Sequence, residues 1–243
     1  MSQPVIRRKS KINHLRTVGY YLRHGYRIAA PQLVEATYVV LGMHRSGTSL
    51  AAGLLHRMGI SFGRWQLDGN PNNPKGHFEN ILIYWMNKKL LRAAGGSWAD
   101  PPTLEAIERV GRRYRHRIQA LVRMEQQREW GWKDPRAVLT LPLFLPYLQH
   151  VRLVDCRRDP QAIARSLAKR DNLPLAQGTE LARLYHDRLD DLLAEVGRAG
   201  PMLRLEFDDW FDGERNGRKL AEFADRPFTP QLQQMMREFI ISR

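Results

Sequence analysis

The chain has 243 residues, enough for one α/β domain with a substantial core and short for two full domains. Its single cysteine, Cys156, excludes an internal disulfide and a cysteine-rich metal cluster, so a disulfide-stapled scaffold and a zinc ribbon fall away and a reducing, cytoplasmic setting is expected. Thirty-nine Lys and Arg against 25 Asp and Glu give a formal charge of +14, which points to an anionic partner: nucleic acid, an acidic membrane surface or an anionic small molecule.

That charge is unevenly placed. Residues 1–34 hold seven cations (Arg7, Arg8, Lys9, Lys11, Arg16, Arg23, Arg27) and no acid, half of the whole excess. The basic start is not followed by an apolar run of signal-peptide length, and nowhere do about 18 uncharged apolar residues follow one another as a spanning helix needs. Within HLRTVGYYLRHGYRIAA, Leu15, Val18, Leu22 and Tyr26 recur at near-helical spacing with arginines between them, the pattern of a basic amphipathic helix, weakened by Gly19 and Gly25. Composition shifts near Pro31 to Ala36. The expected division is therefore a basic extension over 1–34, offering a peripheral membrane or protein contact at the inner face of the membrane, and a principal domain over 35–243.

In the principal domain, TYVVLG (Thr37 to Gly42) is a buried-strand run, and Leu50, Leu54, Leu55 and Met58 then mark a helix after a short polar loop. Phe62 to Asn80, rich in Asn, Pro and Gly, reads as a long ordered loop. Helical patterns follow over Ile81 to Ala94 and Leu104 to Glu129. WGWK (Trp130 to Lys133) is a short strand ended by Asp134-Pro135, and VRLVDC (Val151 to Cys156) is another strand. Asp159-Pro160 supplies an N-cap and N1 pair for a helix through Ser166 and Leu167. A helix over Glu180 to Val196, the strand MLRLEF (Met202 to Phe207) and two closing helices complete the chain. Strands alternating with helices predict an α/β fold of three layers, a central parallel sheet flanked by helices, with its ligand at the carboxyl ends of the strands.

The most specific motif is GMHRSGTS (Gly42 to Ser49), set between a predicted strand and a predicted helix, where a tight loop aims backbone N–H groups at an anion. Its glycines match the first part of a Walker A loop, but Thr48 and Ser49 stand where the lysine and its following hydroxyl belong. That lysine reaches the β/γ-phosphates of a nucleoside triphosphate and the hydroxyl holds Mg²⁺. A loop without the lysine but with Arg45 suits a single phosphate bearing one more charged group.

RSGTS after a strand resembles the 5′-phosphosulfate loop of sulfotransferases that use 3′-phosphoadenosine 5′-phosphosulfate (PAPS). NPKGHFEN (Asn73 to Asn80), WGWKDPR (Trp130 to Arg136) and an RDP with a serine eight residues after its arginine (Arg158, Ser166) follow in chain order, and are similar to bacterial members of this superfamily and, more distantly, to its tyrosylprotein branch. The resemblance spans about residues 37 to 225. It implies a P-loop-type fold and an enzyme moving a sulfuryl group from PAPS to a hydroxyl of a carbohydrate, lipid-linked glycan, tyrosine or small molecule.

The resemblance places the 5′-phosphosulfate on the backbone of Ser46, Gly47, Thr48 and Ser49, with the Thr48 and Ser49 hydroxyls as further donors and Arg45 neutralising the bridging region. It places the 3′-phosphate on Arg158 and Ser166; neighbouring Arg157 and Arg165 read as solvated charges. Lys133 is given the stabilisation of charge on the oxygen that leaves sulfur, its plain alternative being an ion pair with Asp134 or another acid. A hydroxyl is a poor nucleophile at neutral pH, so a base is expected on the long loop, with Asp68, His77 and Glu79 as candidates. Glu79 is favoured and His77 is second; the plain alternative for Glu79 is a cap for the helix near Ile81. LEFDDW has Leu205 where many relatives have a tyrosine, so no nucleotide contact is carried to it.

His44 and His56 have no second ligand at metal spacing, so no metal is expected. The seven arginines between Arg109 and Arg128 read as a solvated helix face, the sharper alternative being a binding surface for an anionic acceptor. Two other readings compete: a small-molecule P-loop kinase, and a basic protein binding nucleic acid or a membrane surface, which leaves the ordered motifs without a role.

Overall fold

Strand residues alternate between two faces, and in this chain both faces are apolar. β1 (Ala36–Leu41) sends Val39 and Leu41 to one side and Tyr38 and Val40 to the other, and every one of its residues is buried. β2 (Glu129–Lys133), β3 (Val151–Arg157) and β4 (Met202–Glu206) join it in a parallel sheet of order β2-β1-β3-β4. The computed structural model describes residues 16–30, 33–67, 78–197, 200–212 and 214–241. Asp68 and His77 lie outside the described residues, as do residues 1–15.

Helices cover both faces. On one side, α3 (Ile81–Ala93), α4 (Leu104–Glu125), α5 (Ala137–Thr140), α6 (Pro160–Asp171) and α7 (Leu175–Val196) pack on Val39, Leu41 and Leu153. On the other, α2 (Thr48–Arg57), α8 (Arg215–Phe223) and α9 (Pro230–Ile241) pack on Tyr38, Val40 and Val154. The result is the three-layer α/β arrangement that the alternation of elements predicts. Register pairs Val40 with Lys133 and Leu41 with Asp155, so the carboxyl ends of β1, β2 and β3 meet at one edge.

Asp159 caps α6, its Oδ1 accepting from the Ala162 N–H at 2.8 Å, with Pro160 as first helical residue. α4 stops at Glu125 instead of running to Glu129, because Glu129 is already paired with Ala36 at the start of β2. α7 begins at Leu175, five residues before the pattern predicts, and the 3-10 turns after α5 carry no clear sequence signal. The arginines of α4 and the turn after it, from Arg109 to Arg128, are all exposed, as a solvated face requires.

Residues 16–24 form a helix, α1, followed by a 3-10 turn, Gly25–Ile28. Tyr20 Oη donates to Glu125 Oε1 at 2.5 Å, and Arg27 Nη2 donates to the Gln126 carbonyl at 3.3 Å, so this segment lies against the end of α4. Among the described residues, no helix is long and apolar enough to cross a membrane.

Candidate active site

The turn from β1 into α2 is built around two glycines with left-handed backbones. At Gly42 (φ 140°) a Cβ would lie 2.5 Å from the Cys156 carbonyl oxygen; at Gly47 (φ 90°) it would lie 3.0 Å from the Phe207 ring. Gly42 requires glycine for space as well as for conformation, and Gly47 for conformation. Arg45 between them also has positive φ, 71°, which turns its side chain out of the loop toward α6. Leu50 and Ala51 N–H groups donate to the Gly47 carbonyl, so Gly47, Thr48 and Ser49 form the amino end of α2.

Ser46 differs from expectation. Its side chain is fully buried, and both Oγ (2.7 Å) and the backbone N–H (3.2 Å) donate to the Met43 carbonyl. With those donors spent on the loop, Ser46 shapes the turn and lines neither cavity described below.

Arg45 Nε donates to Ser166 Oγ at 2.8 Å, and Arg158 Nη1 donates to the Arg45 carbonyl at 2.9 Å. The sequence motifs at 45, 158 and 166 are thus drawn into one cluster. The Arg158 guanidinium lies over the Phe207 ring, 3.8 Å from its centroid, in cation–π contact. Neighbouring Arg157 is not a solvated charge. As the last residue of β3 it is buried, donating from Nε to Asp155 Oδ1 (2.6 Å) and from Nη2 to Asp190 Oδ1 (2.6 Å).

Lys133 ends β2 with its side chain buried, and its Nζ donates to Glu79 Oε1 at 2.6 Å. Glu79 is not the helix cap. That role falls to Asn80, whose Oδ1 accepts from the N–H groups of Leu82 (3.0 Å) and Ile83 (3.2 Å). Asn80 Nδ2 donates to Glu125 Oε2, and the Leu67 N–H donates to the Glu79 carbonyl. Asp134, also buried, accepts from Asn87 Nδ2 (2.9 Å) and Arg136 Nη1 (2.8 Å), which aims Arg136 across the Tyr84 ring. Burial pushes the Asp134 carboxyl above its ordinary pKa, against the opposing pull of Arg136.

Two cavities meet at the loop. One, of about 560 Å³, is lined by Arg45, Gly47, Thr48, Ser49, Arg158 and Ser166, with Phe207, Phe211 and Ile240 as its apolar wall. The other, of about 350 Å³, is again lined by Arg45, Thr48 and Ser49, now with Glu79 and Lys133, and with His44, Tyr84, Trp98, Arg136 and Arg170 around them. Arg45, Thr48 and Ser49 face both spaces. Phe211 and Trp98 are site residues outside every sequence motif, and Arg136 and Phe207 lie within motifs that assign them no role.

His44 packs its ring edge-on to Trp98 at 4.5 Å, and its buried Nε2 has no hydrogen-bond partner. Burial first, then the positive charges of Arg136, Arg170, Lys133 and Arg45, hold the imidazole well below its ordinary pKa, so it is neutral at pH 7. Among the described residues, no group of three His, Cys, Asp or Glu side chains is arranged to hold a metal ion.

No family model and no curated protein sequence matches the chain. Solved structures do. Sulfotransferase STF9 from Mycobacterium avium superposes with a TM-score of 0.51 over 93% of this chain and 72% of that one, at 19% identity. Sulfotransferase STF1 from Mycobacterium tuberculosis H37Rv gives 0.51 over 90% of this chain and 74% of that one, at 10% identity. The three-layer α/β fold of this chain is the fold of these sulfotransferases.

Proposed function

We propose that the protein is a PAPS-dependent sulfotransferase acting on a hydroxyl acceptor. The observation that carries this reading is the pair of cavities sharing Arg45, Thr48 and Ser49: one has the lining of a nucleotide site, the other a carboxylate and an ammonium suited to chemistry. A loop without the P-loop lysine, between two such spaces, suits a donor whose single 5′-phosphate carries the group to be moved. The shared fold supports the same reading.

In this mechanism the donor supplies a sulfuryl group on a phosphate oxygen. Arg158 and Ser166 hold the 3′-phosphate, Phe207 and Phe211 flank the base, and the amino end of α2 at Gly47, Thr48 and Ser49 binds the 5′-phosphate. Glu79 takes the proton of the acceptor hydroxyl as its oxygen attacks sulfur. The bond from sulfur to the bridging oxygen breaks in line, and Arg45 and Lys133 neutralise the charge that develops on that oxygen. Tyr84 and Trp98 wall the acceptor space. The site as proposed lies wholly within the 35–243 domain.

Isothermal titration with 3′-phosphoadenosine 5′-phosphate is the direct test, with saturable binding expected at one site. No binding by the folded protein overturns the reading, and ATP turnover abolished by EDTA would replace it with phosphoryl transfer. Incubation with radiolabelled PAPS and a cell extract, followed by identification of the labelled product, names the acceptor.

A further inference from the structure

Sulfuryl transfer leaves one surface unused: the outward face of α1 and the turn after it. Val18, Tyr21 and Leu22 stand at i, i+3 and i+4 of the helix, and Tyr26 follows four residues later. Leu22 is 82% exposed and Tyr26 66%, and Leu33, just beyond, is 72% exposed. Of the nine large hydrophobic side chains exposed among the described residues, five fall between positions 18 and 33, which makes this a patch and not scatter.

The opposite face of the helix is committed. Tyr20 stacks on His24 (4.6 Å) and Trp65 (5.9 Å) while its hydroxyl donates to buried Glu125, so the apolar face is held outward. On the Tyr20 side of the helix, Arg16, Arg23 and Arg64 line an open cavity of about 540 Å³ with Gly19, Tyr20, His24 and Trp65, and no carboxylate lines it. Arg7, Arg8, Lys9 and Lys11 precede the helix in sequence, and the first acid of the chain is Glu35.

We infer that α1 and its following turn dock the protein on the surface of an anionic lipid bilayer. Leu22, Tyr26 and Leu33 enter the boundary between headgroups and acyl chains, and exposed Arg16 and Arg23 take headgroup phosphates, whereas Arg64 Nη1 is spent on the Met124 and Glu125 carbonyls. Exposed apolar side chains with exposed Arg16 and Arg23 on the same helix, Arg23 next to Leu22, match a surface that is hydrocarbon below and anionic above. The absence of any acid from the segment favours a uniformly anionic surface over a protein, whose surface carries both signs. Tyrosines suit the same boundary, with an apolar ring and a hydroxyl left wet. This inference is independent of the sulfotransferase reading.

Sedimentation of the full chain with phosphatidylcholine vesicles, with and without phosphatidylserine, tests it. The expected result is binding to the anionic vesicles alone, weakening as salt rises. Arg16→Glu and Arg23→Glu are each expected to weaken binding by about fivefold or more, and Leu22→Ser with Tyr26→Ser by about tenfold. Matching thermal midpoints show that the variants fold; Leu33→Ser, outside the helix, repeats the apolar test without touching α1. Binding to neutral vesicles just as well, no sedimentation with any vesicle, or binding that all these variants retain would each overturn the proposal. So would retention of the helix by a soluble protein with no affinity for lipid.

Discussion

Lys133 Nζ and Glu79 Oε1 are 2.6 Å apart, and their side chains are 4% and 7% exposed. A buried pair of this kind adds little net stability, because desolvation of two charges offsets their attraction, but removing one partner strands the other. Glu79→Gln and Lys133→Met are each expected to lower the unfolding free energy by about 3–5 kcal/mol, and the double variant by less than the sum. Denaturant titration of the four proteins checks this; additive losses would mean that the two groups act separately.

On the proposed function, the same pair serves chemistry and not nucleotide binding. Lys133→Ala is expected to lower turnover by roughly two to three powers of ten while leaving the affinity for 3′-phosphoadenosine 5′-phosphate nearly unchanged. Glu79→Gln should lower turnover by about 10² to 10⁴ and likewise spare the nucleotide, since Glu79 lines only the smaller cavity. Steady-state rates beside titration of each variant supply both quantities. Equal losses in rate and affinity would make Lys133 a binding residue.

Arg45, Arg158 and Ser166 form a cluster whose hydrogen bonds converge at the larger cavity. Arg158→Ala removes a charged donor and is expected to weaken 3′-phosphoadenosine 5′-phosphate by roughly tenfold to a hundredfold. Ser166→Ala removes a neutral one and should cost about tenfold at most. Adenosine 5′-phosphate, which lacks the 3′-phosphate, should bind wild type and Arg158→Ala alike. An equal loss for both nucleotides would place Arg158 at the other end of the ligand.

What was legible in the sequence was local. The strand, the glycine-framed loop and the helix from Ala36 to Arg57 are contiguous, and the Asp159-Pro160 cap acts over four residues, so periodicity and capping rules suffice for both. The meeting of Glu79 with Lys133 spans 54 positions and depends on the register that sets Lys133 beside Val40. No pattern along the chain encodes that register. Phe207 enters the site because the chain turns just past β4, so only the folded sheet reveals it. The partner of Arg157 is also encoded locally: Asp155 lies two residues earlier on the same strand, hence on the same face, and that spacing signals a pair.

The neutral state of His44 has a consequence for stability. Its folded pKa is depressed, so the unfolded chain takes up a proton near 6.5 where the folded one does not. The stability that this group contributes is therefore complete above about pH 6.5 and is lost as pH falls below it, at up to about 1.4 kcal/mol per pH unit. Thermal midpoints from pH 7 to pH 5 should fall more steeply for wild type than for His44→Asn. Some slope should persist in the variant, because burial also lowers His24 and His186. Parallel curves would mean that His44 is protonated in the folded protein.

Neither cavity of the site is lined by a residue before His44, yet Tyr20 is bonded to Glu125, whose other oxygen accepts from Asn80, the neighbour of Glu79. Deleting residues 1–34 should therefore spare nucleotide binding while exposing Glu125 and loosening the start of α3. Loss of a hydrogen bond to a charged group costs about 1.5–3 kcal/mol, which for a chain of this length moves the thermal midpoint by several degrees. Amide exchange at residues 80–84 should quicken in the truncated protein, and Tyr20→Phe in the full chain should reproduce that change in part. If nucleotide binding vanished with the segment, the site would extend beyond the 35–243 domain. If exchange at α3 stayed constant, the bond from Tyr20 would be an anchor for α1 alone and would carry nothing to Glu79.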